Sequence, residues 1–218
     1  MNAAPLIAAL FAEGAVAYQT WDTYAAQTLL GAEREAVARA VAKRIHEFAG
    51  GRACARAALS QLGYGAIELP VGTDRAPGWP AGITGSITHT GGFCAAVVAR
   101  TAQIRALGLD AEPASSVKPH LWRRICTAEE LAVLESLDAP TALGAATLMF
   151  SAKEAFYKCQ HALTAQWLDF ADIRVSIESG HFEIWPTRSL QIAQRCAGPW
   201  RGRYLYEKGL VVTGVCIV

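Results

Sequence analysis

The chain has 218 residues, 52% of them hydrophobic and 18% charged, with a net charge of +1. That balance excludes a disordered polymer and lacks the broad cationic excess of a duplex DNA binder, and the length can bury a core as one large domain or two small lobes. Cys54, Cys94, Cys126, Cys159, Cys196 and Cys216 are scattered, with no CxxC and no Cys-His pair at ligand spacing, which argues against a zinc site or redox dithiol and for a reducing cytoplasm.

The N-terminal run MNAAPLIAALFAEGAVAY is apolar but lacks a basic start and contains Glu13, so it is not expected to be a secretion signal. No apolar run approaches the ~20 residues needed to cross a bilayer. From Glu33 to Phe48 the residues Val37, Val41, Ile45 and Phe48 recur at helical spacing. Gly50-Gly51 is expected to interrupt or bend this element, which resumes from Ala53 to Leu62 and stops at Gly63. The stretch from Arg34 to Arg56 is basic, carrying Arg39, Lys43, Arg44 and Arg52 as well, and a few converging cations suit a small polyanion. VGTDRAPGWPAG, dense in Gly and Pro, reads as a loop. ITGSITHTGGFCAAVVAR reads as strand-like halves joined at Gly91-Gly92, and IRALGLDAEP as a strand ending at Pro113. The polar stretch around Ser115 to Pro119 places a boundary between lobes 1–113 and 114–218.

In the second half, Thr127 with Glu130 fits a capping box, followed by Leu131 and Leu134 on one helical face. A helix after Pro140 contains FSAKEAFYKC, and Leu148 just before it makes an apolar stripe with Ala152, Ala155 and Cys159. On its other side Phe150 and Tyr157 flank Glu154, a pairing that predicts a face in contact with something. IRVSIESGHFEIWP and WRGRYLYEKGLVVTGVCIV are strand-like, turning at Ser179-Gly180 and Lys208-Gly209. Each half therefore runs helix first and antiparallel strands after, an α+β arrangement of two lobes.

In GLDAE, Asp110 and Glu112 alternate with Leu109 and Ala111, so both carboxylates project from one strand face, about 7 Å apart. They repel unless a cation sits between them, and hard oxygen ligands suit Mg²⁺ or Mn²⁺. A solvated strand end remains the alternative. Lys153, Glu154 and Lys158 would complete a phosphoryl-transfer centre if Glu154 joins the first two carboxylates; otherwise Glu154 and Lys158 are an ordinary i, i+4 ion pair. Arg44 and Arg52, eight apart, would point about 80° from one another on an unbroken helix and so reach one phosphate, or else lie solvated on the surface. His89 reads equally as a hydrogen-bonded strand histidine. No GxGxxG, P-loop, HExxH or GxSxG occurs, which removes the signatures of dehydrogenases, NTPases, zinc proteases and serine hydrolases.

Taken in order, KR followed by GR, GSITHTGG, GLDAE, FSAKEAFYK and WRGRYLYEKGLVVTGV resemble the 4′-phosphopantetheinyl transferases, specifically the larger monomeric type that activates siderophore and polyketide synthases. The resemblance runs from about Lys43 onward. It implies two pseudo-symmetric α+β lobes, and transfer of the phosphopantetheine arm of coenzyme A to a serine of an acyl or peptidyl carrier protein with release of 3′,5′-ADP. It further implies a monomer that uses Mg²⁺, with Mn²⁺ possible, and neither binds nucleic acid nor inserts in a membrane. Asp110, Glu112 and Glu154 become metal ligands, with Glu154 also the base for the carrier serine. Lys158 and Lys153 would offset charge on the β-phosphate. Arg44, Arg52, Arg75, Thr88 and His89 would hold the adenosine 3′-phosphate, Arg75 standing where relatives often have lysine. Two other readings stay open: a non-catalytic coenzyme A or nucleotide-binding module, and a phosphohydrolase that directs the same carboxylates at water.

Overall fold

The computed structural model describes residues 6–22 and 24–218. Residues 1–5, the start of the run weighed above as a secretion signal, lie outside the described residues. No described helix is long and apolar enough to cross a membrane. The chain divides into two compact units, Met1–Leu107 with Val218, and Gly108–Ile217.

The first unit builds on β1 (Val16–Thr20), α1 (Ala32–Ala36), α2 (Ala42–Gln61), β2 (Ile83–Thr90) and β3 (Phe93–Arg100). β2 and β3 form the hairpin expected from the sequence. Gly91 and Gly92 both have positive φ, the conformation a two-residue hairpin turn needs. β3 lies between β1 and β2 in an antiparallel three-stranded sheet, and its residues are buried up to Arg100. α2 packs on this sheet through Cys54, Ala55, Ala58 and Leu59, against Cys94, Ala96 and Val98.

Two expectations for this region are corrected. The Glu33 to Phe48 pattern is not one helix: α1 ends at Ala36, and Val41, 74% exposed, is the residue before α2. Gly50-Gly51 does not interrupt α2, which is continuous through both glycines. They are there because the sheet comes close: a Cβ at Gly50 would lie 2.5 Å from Cys94 Sγ, and one at Gly51 2.7 Å from Ile87 Cγ2. A glycine pair in a helix costs helical propensity, here offset by close packing. α1 is fixed by Glu33, fully buried, which accepts hydrogen bonds from Arg56, Leu30 N and Leu69 N.

The second unit holds most of β4 (Ala106–Pro113), then α3 (Pro119–Ile125), α4 (Ala128–Glu135), α5 (Ala139–Thr164), β5 (Ile173–Glu178), β6 (His181–Pro186), β7 (Trp200–Glu207) and β8 (Leu210–Ile217). Its five-stranded sheet has the order β4-β8-β7-β6-β5. The unit boundary therefore falls ahead of the Pro113 boundary read from the sequence, because β4 joins the sheet of the second unit at β8. The polar stretch after Pro113 leads from β4 into α3 within this unit. The Thr127–Glu130 capping box is present, and Asp138 caps α5 with Pro140 in its first turn.

The two units share a connection pattern. In each, one strand precedes the helices, a long helix follows, and the remaining strands form an antiparallel meander. The strand before the helices then pairs with the last strand of the meander, β1 with β3 and β4 with β8. The helix-then-strands order seen in the sequence is thus one topology built with three strands in one case and five in the other.

Candidate active site

In the second unit the strand bearing GLDAE is pressed against α5. A Cβ on Gly108 would sit 1.8 Å from Ala155 O and 2.9 Å from Cys159 Cβ, so no side chain fits there. Ser151, Ala155 and Lys158 fall at i, i+4 and i+7 on one face of α5, and the smallest of them meets Gly108. This contact brings the polar residues on either side of Ala155 to Asp110. Lys158 Nζ donates to Asp110 Oδ1 at 2.7 Å and to Leu109 O at 3.0 Å, while Ser151 Oγ donates to Oδ2 at 2.9 Å. Asp110 is 5% exposed and is thus a buried carboxylate with both oxygens engaged.

Glu112, two residues along the same strand face, and Glu154, one turn before Lys158, are half-buried. Among the described residues neither has a hydrogen-bond or ion-pair partner. Burial, with Asp110 next and Glu154 adding to it against the opposing pull of Lys158, pushes the Glu112 carboxyl up to about 7. Burial and then Asp110 also raise Glu154, again opposed by Lys158. Three carboxylates thus share one lysine. This donor set, all hard oxygen with excess negative charge, fits a divalent cation such as Mg²⁺. Among the described residues no three ligand side chains converge to metal-binding distance as they stand. Lys158 holds one oxygen of Asp110 in their place.

Lys153 is corrected. Although only five residues from Lys158, it lies about 140° away around the helix. It is 2% exposed, and its ammonium donates to Glu130 Oε2 at 2.7 Å, Ile125 O at 2.8 Å and Phe170 O at 2.8 Å. All three N–H groups are spent inside the protein, so none is left for a phosphate. Burial lowers the Lys153 pKa, with Glu130 opposing. Glu130 serves three elements at once: it closes the capping box at Thr127 N, pairs with Lys153, and accepts from Val175 N on the edge strand β5. The aromatic residues beside Glu154 also find partners within the unit. Phe150 packs on Phe170 at 5.5 Å between ring centroids, and Tyr157 meets Trp167 edge-on at 5.4 Å. Trp167 is itself 76% exposed.

In the first unit, the unbroken α2 carries Arg44 and Arg52 as the eight-residue spacing requires. Arg44 Nη1 lies 2.6 Å from His89 Nε2, and His89 Nδ1 is 3.6 Å from Glu47 Oε2, so the helix arginine and the strand histidine are brought together. Thr88 is buried beside that histidine. Arg52 is no solvated surface residue: it is 4% exposed, donates from Nε to Leu69 O at 2.8 Å, and lies over the Phe48 ring. Burial is the main cause lowering its guanidinium to about 10, with Glu33 opposing and Arg56 and Arg44 adding, so it stays a cation at neutral pH. Arg75 is exposed in the Gly/Pro loop with φ +66°. Gly108, Ser151 and Thr213 were not singled out from the sequence, and Glu130 was read only as a cap. The signals were there for Ser151, at i, i+7 from Lys158, and for Gly108, a glycine inside a strand.

A strand-borne carboxylate pair, a helix-borne glutamate and one lysine are the kinds of group that phosphoryl transfer uses, where charge neutralisation and positioning do most of the work. Comparison with known proteins narrows that class. The family model described as the 4′-phosphopantetheinyl transferase N-terminal domain matches residues 32–99, and that of the 4′-phosphopantetheinyl transferase superfamily matches residues 106–195. The chain is similar to the 4′-phosphopantetheinyl transferase PptT of Mycobacterium tuberculosis, at 37% identity over 87% of this chain and 86% of that protein. It is similar to the transferase Svp of Streptomyces mobaraensis, at 40% identity over 83% and 75% of the two chains. It also resembles enterobactin synthase component D of Salmonella typhi, at 33% identity over 70% and 64%. The chain belongs to the 4′-phosphopantetheinyl transferase superfamily. It is accordingly an enzyme that moves the phosphopantetheine arm of coenzyme A to carrier proteins.

Proposed function

We propose that Asp110, Glu112 and Glu154 hold a divalent ion, Mg²⁺ or Mn²⁺, during transfer of phosphopantetheine from coenzyme A to a carrier serine. The observation that carries this is the excess of charge at the site: Glu112 and Glu154 lack partners among the described residues, and both are shifted toward their protonated forms. A bound divalent ion would offset charge on the pyrophosphate oxygens. Glu154 takes the proton of the carrier serine as its oxygen attacks the β-phosphorus. The bond from that phosphorus to the bridging oxygen breaks, and 3′,5′-ADP leaves. Lys158 stays beside the reacting phosphate as the one cation of the site. On the first unit, Arg44 with His89, backed by Thr88 and joined by Arg52 and Arg75, is assigned to the 3′-phosphate. Arg52 contributes through its Nη nitrogens, since Nε is committed to Leu69 O.

The acceptor is an acyl or peptidyl carrier protein domain, and the setting is a cytoplasm in which all six thiols are free. The enzyme acts as a monomer and makes no use of nucleic acid or membrane. Intact-mass spectrometry of an apo carrier incubated with the protein and coenzyme A tests the reading. Gain of one phosphopantetheine arm, abolished by EDTA and restored by Mg²⁺, is expected. Transfer that persists in EDTA would overturn the metal assignment.

A further inference from the structure

Behind Asp110 runs a buried chain of two hydroxyl groups. Ser151 Oγ contacts Asp110 Oδ2 at 2.9 Å and Thr213 Oγ1 at 2.8 Å, and Thr213 Oγ1 also donates to Ser151 O at 2.9 Å. Ser151 and Thr213 are both fully buried, so water does not compete for these bonds. There are two hydroxyl protons and three contacts. An ionised carboxylate only accepts, so the Ser151 proton belongs to Asp110. The Thr213 proton is then left to both oxygens of Ser151, the carbonyl and the hydroxyl. The chain thus has one direction, from Thr213 to Ser151 to Asp110, and each donation polarises the next.

We propose that Thr213, on β8, is a positioning residue of the transferase. By holding the Ser151 hydroxyl in its donating rotamer, it fixes the plane of the Asp110 carboxylate, so that Oδ2 stays with Ser151 and Oδ1 with Lys158. The placement favours this role. Thr213 occupies a β8 position facing α5, and its β-branched side chain has restricted χ1, which suits a hydroxyl with a fixed aim. Without it, Ser151 can turn its proton to a carbonyl of its own helix, as serines in helices commonly do, and Asp110 is free to rotate about Lys158. This inference rests on the transferase reading above, because it assigns Asp110 to the ion.

The test compares Thr213→Val, which keeps the shape and removes the hydroxyl, with Thr213→Ser, which keeps the hydroxyl. Mn²⁺ binding to the protein without coenzyme A is followed by the loss of the free-ion paramagnetic resonance signal, and transfer kinetics are measured alongside. Thr213→Val is expected to weaken Mn²⁺ binding about 10-fold and to lower kcat with the KM for the carrier unchanged, and Ser151→Ala to lose up to about 100-fold. Thr213→Ser is expected to restore both readouts. Wild-type Mn²⁺ affinity in Thr213→Val would overturn the proposal, as would a Thr213→Ser variant as impaired as the valine one, which would assign the effect to packing. If Thr213→Val does not fold, Ser151→Ala and Ser151→Thr carry the same comparison from the helix side. Weakened Mn²⁺ binding in the valine variant, with a wild-type protein that modifies no carrier, would sink the transferase reading and leave the positioning role standing. A wild-type protein that binds no Mn²⁺ would overturn both.

Discussion

Lys153 and Lys158 sit on the same helix, and each makes a 2.7 Å ion pair with a carboxylate, yet the two regions they define are opposites. Around Lys153 the account is closed: one buried carboxylate and two carbonyls satisfy the ammonium, and Glu130 has further donors of its own. Around Lys158 it is open, because one ammonium faces three carboxylates and two of these have no other partner among the described residues. Equal distances therefore say little about role. What separates a bolt from a reaction centre is whether the surrounding charges and donors balance without a ligand.

The sharpest break of the comparison is Lys153→Met. Removing one partner of a buried pair leaves Glu130 uncompensated and should cost about 3–5 kcal/mol in urea unfolding at neutral pH. Adding Glu130→Gln should recover part of that loss, since the stranded charge is then gone. A Lys153→Met protein of wild-type stability that fails to transfer would return Lys153 to the substrate. Lys158→Ala should do the reverse, lowering transfer about 10²–10³-fold while reducing stability less than the Lys153 change does.

Glu112→Gln probes the open side by pH. Because the folded-state pKa of Glu112 is raised to about 7, the folded protein binds more protons than the unfolded chain between its usual pKa of 4.5 and about 7. Its contribution to stability is therefore most favourable at low pH and declines as pH rises through that window. In metal-free buffer the glutamine variant should melt higher than wild type at pH 8 and match it at pH 4, below both pKa values. A higher melting temperature at pH 4 but none at pH 8 would reverse the sign and discount the charge excess. The smallest effect is expected at Arg44→Ala, which lies outside both regions. It should raise the KM for coenzyme A about 10-fold, equivalent to 1.4 kcal/mol of binding. Its unfolding free energy should stay within about 0.5 kcal/mol of wild type, as for exposed residues generally.

Local rules made much of this legible. The alternation in GLDAE placed Asp110 and Glu112 on one face, the Thr127–Glu130 spacing gave the cap, and Gly91-Gly92 gave the hairpin. Charge type and order also pointed to Lys158, which pairs with Asp110, and to Glu154 close by. Most of what failed needed a neighbour distant in sequence. Gly50-Gly51 looks like a break when α2 is read alone, and becomes a requirement only with Cys94 and Ile87 opposite. Lys153 looked equivalent to Lys158 because both are lysines in one motif, although 100° per residue already separates their faces. Glu130 was recognised as a cap, but its second carboxylate oxygen is claimed by β5, some 45 residues on. Thr213 carries no signal in its own surroundings at all.

The place of β4 in its sheet also sets an order in time. Its neighbour in that strand order is β8, and Ala114 N is tied to Gly209 O at 2.8 Å. As the chain leaves the ribosome, the acidic strand emerges first among the elements of its unit and its pairing partner emerges last. Until β8 arrives, GLDAE has no ladder, Thr213 is absent, and closing so long a loop is entropically costly. Asp110 and Glu112 are therefore made early and positioned late. Their charge is useful in that interval, since an unpaired strand bearing Asp110 and Glu112 resists edge-to-edge association with other nascent chains.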